Sequence, residues 1–341
     1  MSTGVATALP LDRLEPWLAE HVPGLEPPLT PVLIAGGRSN LTYRITDATG
    51  RAVALRRPPG AVGVRGAHDV GREYRVQAAL RDGSAVRVPP VLAHADEDGP
   101  LGVPFYLMEF VDGVVVRDAA AAAGLPEPAR RACGLALVDQ LVDLHRTDPA
   151  RIGLGDLGRP DGYLERQLRR WRGQIPEGAA ASAALAEVHE ILVRRMPSQR
   201  GSALLHGDFR LDNVIVTRSG QVRAVLDWEL STQGDPLADL GWLLLYWRPP
   251  DDLAGVLPAG SELPGFADGA ELAARYAAGT GTDLSDLPYY LGFAAWRLAV
   301  ITLGVAARYV AGARAGGHVD VDRLAGDVRL LTAAARRHLA P

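Results

Sequence analysis

The spacing of apolar positions changes repeatedly along the first third of this chain. Leu11, Leu14, Leu18 and Val22 recur every three or four residues, which predicts a short amphipathic helix packed on the first lobe. Between 31 and 57 the pattern shortens to alternation. It predicts strands over 31–35, 42–46 and 52–56, separated by Gly36-Gly37 and by Thr49-Gly50. Helical spacing returns over 68–81, with Val70, Tyr74, Ala78 and Leu80 broadly on one face. Two further strands, 91–94 and 105–110, flank the turn Asp96-Glu97-Asp98-Gly99. From Asp112-Gly113 onward the pattern is mainly helical, with helices expected over 127–146, 161–172, 181–195, 236–246, 268–278, 287–312 and 319–338. Pro- and Gly-rich links separate them, and three short strands over 203–206, 213–217 and 222–227 interrupt them once. The run Ala119 to Ala123 is a loop or a helix start. A strand-rich segment followed by a long helical one reads as one domain of two lobes, 1–111 and 112–341.

Composition narrows the class. Apolar residues make up 48% and charged residues 22%, an ordinary globular balance that excludes a disordered chain. A net charge of −4 argues against a nucleic-acid partner. The one cysteine, Cys133, excludes a disulfide framework and a cysteine-rich metal site; in a helical run it reads as a small buried apolar residue. The most apolar stretch, 289–310, is interrupted by Arg297 and Arg308, so a buried helix is expected and no membrane association. The N-terminus has neither the basic start nor the apolar run of a signal peptide, which points to the cytoplasm. There is no lysine at all: the Lys+Arg total of 36 is entirely arginine. That matters for any site that ordinarily uses a lysine on phosphate.

The chemistry concentrates in Leu204-Leu205-His206-Gly207-Asp208-Phe209-Arg210-Leu211-Asp212-Asn213-Val214-Ile215-Val216, followed by Ala224-Val225-Leu226-Asp227-Trp228-Glu229. These segments contain H-G-D-x-x-x-x-N and then an apolar strand ending in Asp. Protein kinases carry the same parts as H-R-D-x-x-x-x-N and D-F-G. The spacing suits phosphoryl transfer. A carboxylate must orient the acceptor hydroxyl, and Mg²⁺ needs hard oxygen ligands beside the same phosphate. Asp208 takes the first role; Asn213 and Asp227 take the second. Arg210 occupies the place where protein kinases put a phosphate-contacting lysine, so it is expected to steady the transferring group. His206 reads as structural, and Asp212 as either a supporting carboxylate or a turn residue.

The His-Gly-Asp form of the loop resembles the aminoglycoside phosphotransferase-like superfamily, a branch of the protein-kinase-like fold that acts mostly on small molecules. HGDFRLDN, ALRRPPG and GYLERQLRRWRGQ are similar to the subgroup that includes the kinase-like domains fused to some acyl-CoA dehydrogenases. The resemblance covers roughly residues 28–310. It implies an α+β, two-lobed protein-kinase-like fold, with a small antiparallel-sheet lobe and a larger, mainly helical one. It also implies ATP or GTP with Mg²⁺, a small hydroxyl-bearing acceptor, and a monomer or weak homodimer.

The remaining nucleotide contacts are expected N-terminal to this loop. Gly36, Gly37, Ser39 and Asn40 link the first two strands; two glycines let backbone N–H groups approach phosphate, although a plain hairpin turn explains the same residues. By resemblance, Ser39 and Asn40 sit over the phosphates. Val53-Ala54-Leu55-Arg56 stands where kinases have V-A-I-K, with Glu73 on the following helix as the partner of Arg56. Arg57 competes for this role, but strand alternation points it to the other face. Glu109 and Val111 should form the hinge, meeting the adenine edge through a carbonyl and an N–H respectively. On the other side of the loop, Asp235 before Pro236 caps a helix, and by resemblance Asp239 bonds the backbone of the catalytic loop. Trp171, Tyr289, Tyr290, Trp296 and Tyr309 read as core residues, with the acceptor pocket as the alternative. The arginines 166, 169, 170 and 172, together with the C-terminal Arg336-Arg337, lean toward an anionic acceptor such as a hydroxyacyl-CoA rather than an aminoglycoside.

Overall fold

The computed structural model describes residues 9–35, 40–59, 69–257, 260–311 and 320–340. Helix α1 (Leu11–His21) precedes strands β1 (Thr30–Ala35), β2 (Leu41–Thr46) and β3 (Ala52–Arg57), helix α2 (Val70–Gly83), and strands β4 (Val91–Ala95) and β5 (Phe105–Glu109). The five strands form one antiparallel sheet in the order β1-β2-β3-β5-β4. Alternation along β3 and β5 divides its faces. Val53, Leu55, Phe105 and Leu107 join Leu14 and Leu18 of α1 in one core, while Ala54, Tyr106 and Met108 meet Val70 of α2 on the other. The same period sends Arg56 to the α2 side. Arg57 stays with the α1 side, donating to the Tyr43 hydroxyl at 3.2 Å.

Helix α2 starts at an Asp69 cap that accepts the Arg72 N–H. Its buried stripe runs through Val70, Glu73, Val76, Gln77 and Leu80, so the expected face through Tyr74 and Ala78 is corrected. The sequence pattern misled because Glu73 and Gln77 are polar yet buried: Glu73 answers Arg56, and Gln77 donates to the Pro89 carbonyl.

The large lobe contains α3 (Ala119–Ala123), α4 (Glu127–Arg146), α5 (Tyr163–Arg172) and α6 (Ser182–Arg194). Short strands β6 (Ala203–Leu205), β7 (Val214–Val216), β8 (Val222–Val225) and β9 (Thr232–Gly234) come next, and α7 (Leu237–Tyr246), α8 (Gly269–Thr280), α9 (Leu287–Val310) and α10 (Val321–His338) complete it. The α3 helix resolves the alanine run, and β9, which the apolar pattern did not predict, pairs with β6. At three residues it is too short to show a period. Helix α9 is long and apolar enough to cross a membrane, and 61% of its apolar window is buried within the protein. Cys133 is fully buried, and burial pushes its thiol up to about 12. Tyr289, Tyr290 and Trp296 are core residues whose polar ends meet Leu192 O, Asp235 and Leu185 O.

Candidate active site

A cavity of about 420 Å³ lies between the lobes. Its small-lobe wall includes Thr42, Arg44, Arg56, Glu73, Tyr106 and Met108; Ile215, Leu226 and Asp227 close it from below. Phe110, Val111, Asp112 and Gly113 line its connecting edge.

That edge has free hydrogen-bonding capacity for a definite reason. Glu109 N–H donates to the Pro90 carbonyl at 2.8 Å. In an antiparallel pair the opposite residue normally returns a second bond, but Pro90 has no N–H. The Glu109 carbonyl is therefore left without its strand partner. The Glu109 side chain turns away to an ion pair with Arg51 at 3.0 Å, so only its backbone could serve a bound base.

Arg56 lies at the centre of the small-lobe wall. Its Nε donates to Glu73 at 2.8 Å and its Nη2 to Asp227 Oδ1 at 2.5 Å. Burial alone would lower the Arg56 pKa, but the Glu73 carboxylate, and Asp227 behind it, raise it above its ordinary value. Asn40 donates weakly to Glu73 and to Glu229, at 3.4 and 3.5 Å, so it bridges the two lobes. Gly36, Gly37 and Ser39 lie outside the described residues. Glu229, to which the sequence pattern assigned no role, is pushed up to about 7 by burial and by neighbouring Asp227. Asp227 itself has φ +67°, uncommon for a residue other than glycine, at the sharp exit from β8 into a single helical turn.

The catalytic loop leaves β6 through Gly207 at φ +87°. A Cβ there would stand 2.7 Å from the Leu230 carbonyl oxygen, so only glycine fits. Asp239 on α7 accepts the N–H groups of His206 and Gly207 at 2.7 and 2.9 Å, holding the loop from beneath as expected. Burial opposes ionisation of Asp239, yet these bonds and His145 keep its pKa below the usual value. His206 Nδ1 accepts from Asp208 N–H at 3.2 Å, so its Nε2 carries the proton donated to Leu226 O at 2.8 Å. His206 thus ties the loop to the strand that delivers Asp227.

Asp208 is heavily bonded. Its Oδ1 accepts Trp242 Nε1 at 2.6 Å, and its Oδ2 accepts Asn213 Nδ2 at 3.0 Å and Arg210 Nε at 3.3 Å. The apolar pattern assigns Trp242 no role, because nothing in an apolar helix indicates which carboxylate its N–H will find. Asn213 Nδ2 also donates to the Asp208 carbonyl at 2.8 Å, which turns Asn213 Oδ1 the other way. Arg210 reaches Asp212 as well, at 3.2 Å, so Asp212 is a supporting carboxylate. Among the described residues no group of three or more His, Cys, Asp or Glu forms a metal cage by itself. An amide oxygen and a carboxylate are nonetheless hard donors of the kind Mg²⁺ takes when phosphates and water fill the other positions. Asn213 and Asp227 fit that ion.

Comparisons with known proteins identify the family and the fold. The phosphotransferase enzyme family matches residues 30–296. Acyl-CoA dehydrogenase family member 11 of Gallus gallus is 36% identical over 291 residues, 82% of this chain and 36% of that protein. The chain spans about a third of the length of the curated relatives it matches. A solved structure from Ralstonia eutropha JMP134, provisionally named an aminoglycoside phosphotransferase, superposes with a TM-score of 0.79 at 31% identity, covering 96% of this chain and 98% of that one. The streptomycin–ATP ternary complex of APH(2")-IIa shares the fold at a TM-score of 0.59 and 14% identity, over 87% of this chain and 90% of that one.

Proposed function

Because this chain belongs to the phosphotransferase enzyme family, we propose that it moves the γ-phosphoryl group of ATP, or of GTP, onto a hydroxyl of a small acceptor with the help of Mg²⁺. One observation carries the reading: Asn213 bonds Asp208 and accepts the Leu226 N–H, which sets the Asp208 loop against the strand that delivers Asp227 to the floor of a cleft whose opposite wall holds Arg56 on Glu73. The acceptor oxygen attacks the γ-phosphorus in line, the bond to the β-phosphate bridging oxygen breaks, and the nucleoside diphosphate leaves. Asp208 orients the acceptor hydroxyl and takes its proton. Arg56 and Arg210 hold phosphate oxygens, and the free Glu109 carbonyl with the Val111 N–H meets the base. Held by Asn213 and Asp227, the metal ion supplies charge neutralisation for the phosphates.

We infer further that the acceptor is anionic. Arg169, Arg170 and Arg172 are exposed on α5 and have no carboxylate partner among the described residues. Arg170 lies over the ring of Trp171 at 5.3 Å, and Arg297, which bonds the catalytic loop at Gly207, lies 5.4 Å from the same ring centroid. A polycationic aminoglycoside calls for carboxylates on such a wall; a hydroxyacyl-CoA or another anionic alcohol calls for these guanidiniums. The test is an ATP-consumption screen across aminoglycosides, macrolides, sugars, amino alcohols and hydroxyacyl-CoAs. Consumption confined to anionic alcohols supports both readings, and consumption with aminoglycosides alone reverses the second. Binding of Mg·ATP with no transfer to any acceptor would identify a nucleotide-binding protein without kinase activity.

A further inference from the structure

The hydrogen bonds around Asp208 distinguish its two oxygens. Oδ2 accepts from Asn213 at 3.0 Å, while Arg210 Nε lies between the two oxygens, 3.3 Å from Oδ2 and 3.2 Å from Oδ1. Oδ1 accepts the shortest of these bonds, from Trp242 at 2.6 Å, so the indole N–H is the contact that holds the carboxylate most closely. Trp242 is itself backed by Arg297, whose guanidinium lies 4.4 Å from the Trp242 ring centroid and 5.4 Å from that of Trp171. Arg297 Nη2 donates to the Gly207 carbonyl at 3.0 Å.

This arginine is unusual. It is only 8% exposed, its Nε has no hydrogen-bond partner, and no carboxylate of the described residues pairs with it. Burying an unpaired cation is unfavourable, and two aromatic faces and one carbonyl offset that only in part. The packing that permits the contact is also specific. Gly241 of α7 lies so close to α9 that a Cβ would stand 2.9 Å from the Tyr290 backbone, and this approach brings Trp242 and Arg297 together.

We propose that Trp242 and Arg297 are positioning residues for the transfer step. Trp242 fixes the Asp208 carboxylate in the orientation that meets the acceptor hydroxyl. Arg297 braces the Trp242 indole from behind and holds the Gly207 carbonyl, so that loop and carboxylate keep one relative orientation. The proposal rests on the phosphotransferase reading for its kinetic consequence, and on the structure alone for its contacts.

Two measurements separate those parts. The protein has six tryptophans, so ¹⁵N labelling gives a small set of indole N–H signals. The Trp242 signal, identified by its loss in Trp242→Phe, should move in Asp208→Asn and again in Arg297→Gln. If it stays in place in both, the contacts do not exist in solution and the proposal is overturned, whatever the enzyme does. In steady-state kinetics with the acceptor found by the screen, Trp242→Phe should lower kcat by about 10²-fold, the cost of a misplaced group, with KM for ATP changed less than threefold. Trp242→His, which retains a ring N–H, should recover part of the loss, and Arg297→Lys should retain more kcat than Arg297→Gln. A purely structural role predicts lower thermal midpoints with wild-type kcat, and that result also overturns the proposal. If no acceptor is phosphorylated by any form, the kinase reading fails while the indole signals still decide the contacts.

Discussion

At the small-lobe end of the cleft one guanidinium, Arg56, faces the carboxylates of Glu73 and Asp227, with Glu229 close behind. At the catalytic-loop end two carboxylates, Asp208 and Asp212, face Arg210, the Trp242 indole N–H and the Asn213 amide, with Arg297 one layer back. In the first cluster Arg56 bonds Glu73 and Asp227 at once, and burial beside Asp227 pushes the Glu229 carboxyl up to about 7. The second balances two arginines against two acids and satisfies both oxygens of Asp208. One end ties the two lobes together through a guanidinium, and the other holds one carboxylate still.

The largest expected effect tests the second end. Asp208→Asn should cut turnover by about 10²-fold or more while leaving Mg·ATP affinity within a few-fold, since the residue acts on the acceptor side. Near-normal turnover in this variant would remove Asp208 from the chemistry and leave the two ends without distinct roles. Asp227→Ala tests the first end and should abolish Mg²⁺-dependent nucleotide binding, measured by calorimetry with and without the ion. If binding survives unchanged, another carboxylate holds the metal, and Glu229 is the neighbour to substitute next.

Arg56→Ala should raise KM for ATP and lower kcat, losing a charge-assisted contact worth roughly 1.5–3 kcal/mol. Arg56→Lys should restore part of this, because the charge returns without the fork that spans Glu73 and Asp227. A silent Arg56→Ala would mean that the Arg56–Glu73–Asp227 set is only a lobe-to-lobe tie. The smallest effect concerns pH in the metal-free protein. Glu229 has a raised folded pKa, so the folded state binds the proton more tightly than the unfolded chain. Stability should be highest below the ordinary carboxylate pKa and decline as pH rises through about 7. Glu229→Gln should flatten that slope in denaturant titrations at pH 5 and pH 8. An unchanged slope would place the titration elsewhere.

Much of this architecture was legible in the chain because it depends on short-range periods. The strand carrying Arg56, the helix of Glu73 and the spacing from Asp208 to Asn213 are all local, and alternation alone separated Arg56 from Arg57. The helices of the large lobe followed from apolar recurrence to within a few residues. Failures occurred where one element answers another. The buried face of α2 passes through Glu73 and Gln77, polar residues whose partners lie on β3 and beside β4. The pairing of β6 with β9 joins segments about thirty residues apart, and β9, at three residues, is too short to carry a signal.

What the sequence by itself determined is the inventory: two lobes, a glycine-linked first hairpin, an arginine in the place of lysine, and an Asp, Asn and Asp at kinase-like intervals. Tertiary structure alone decided how that inventory is wired. Trp242 reaches Asp208 across 34 positions, and Arg297 reaches Gly207 across 90. Pro90 frees the Glu109 carbonyl only because it is paired with that residue in the sheet. Glu229 is raised only because folding buries it beside Asp227. Periodicity is a property of neighbours along the chain and survives in the sequence. Desolvation, ion pairing and cation–aromatic contact depend on distance in space, which packing alone sets.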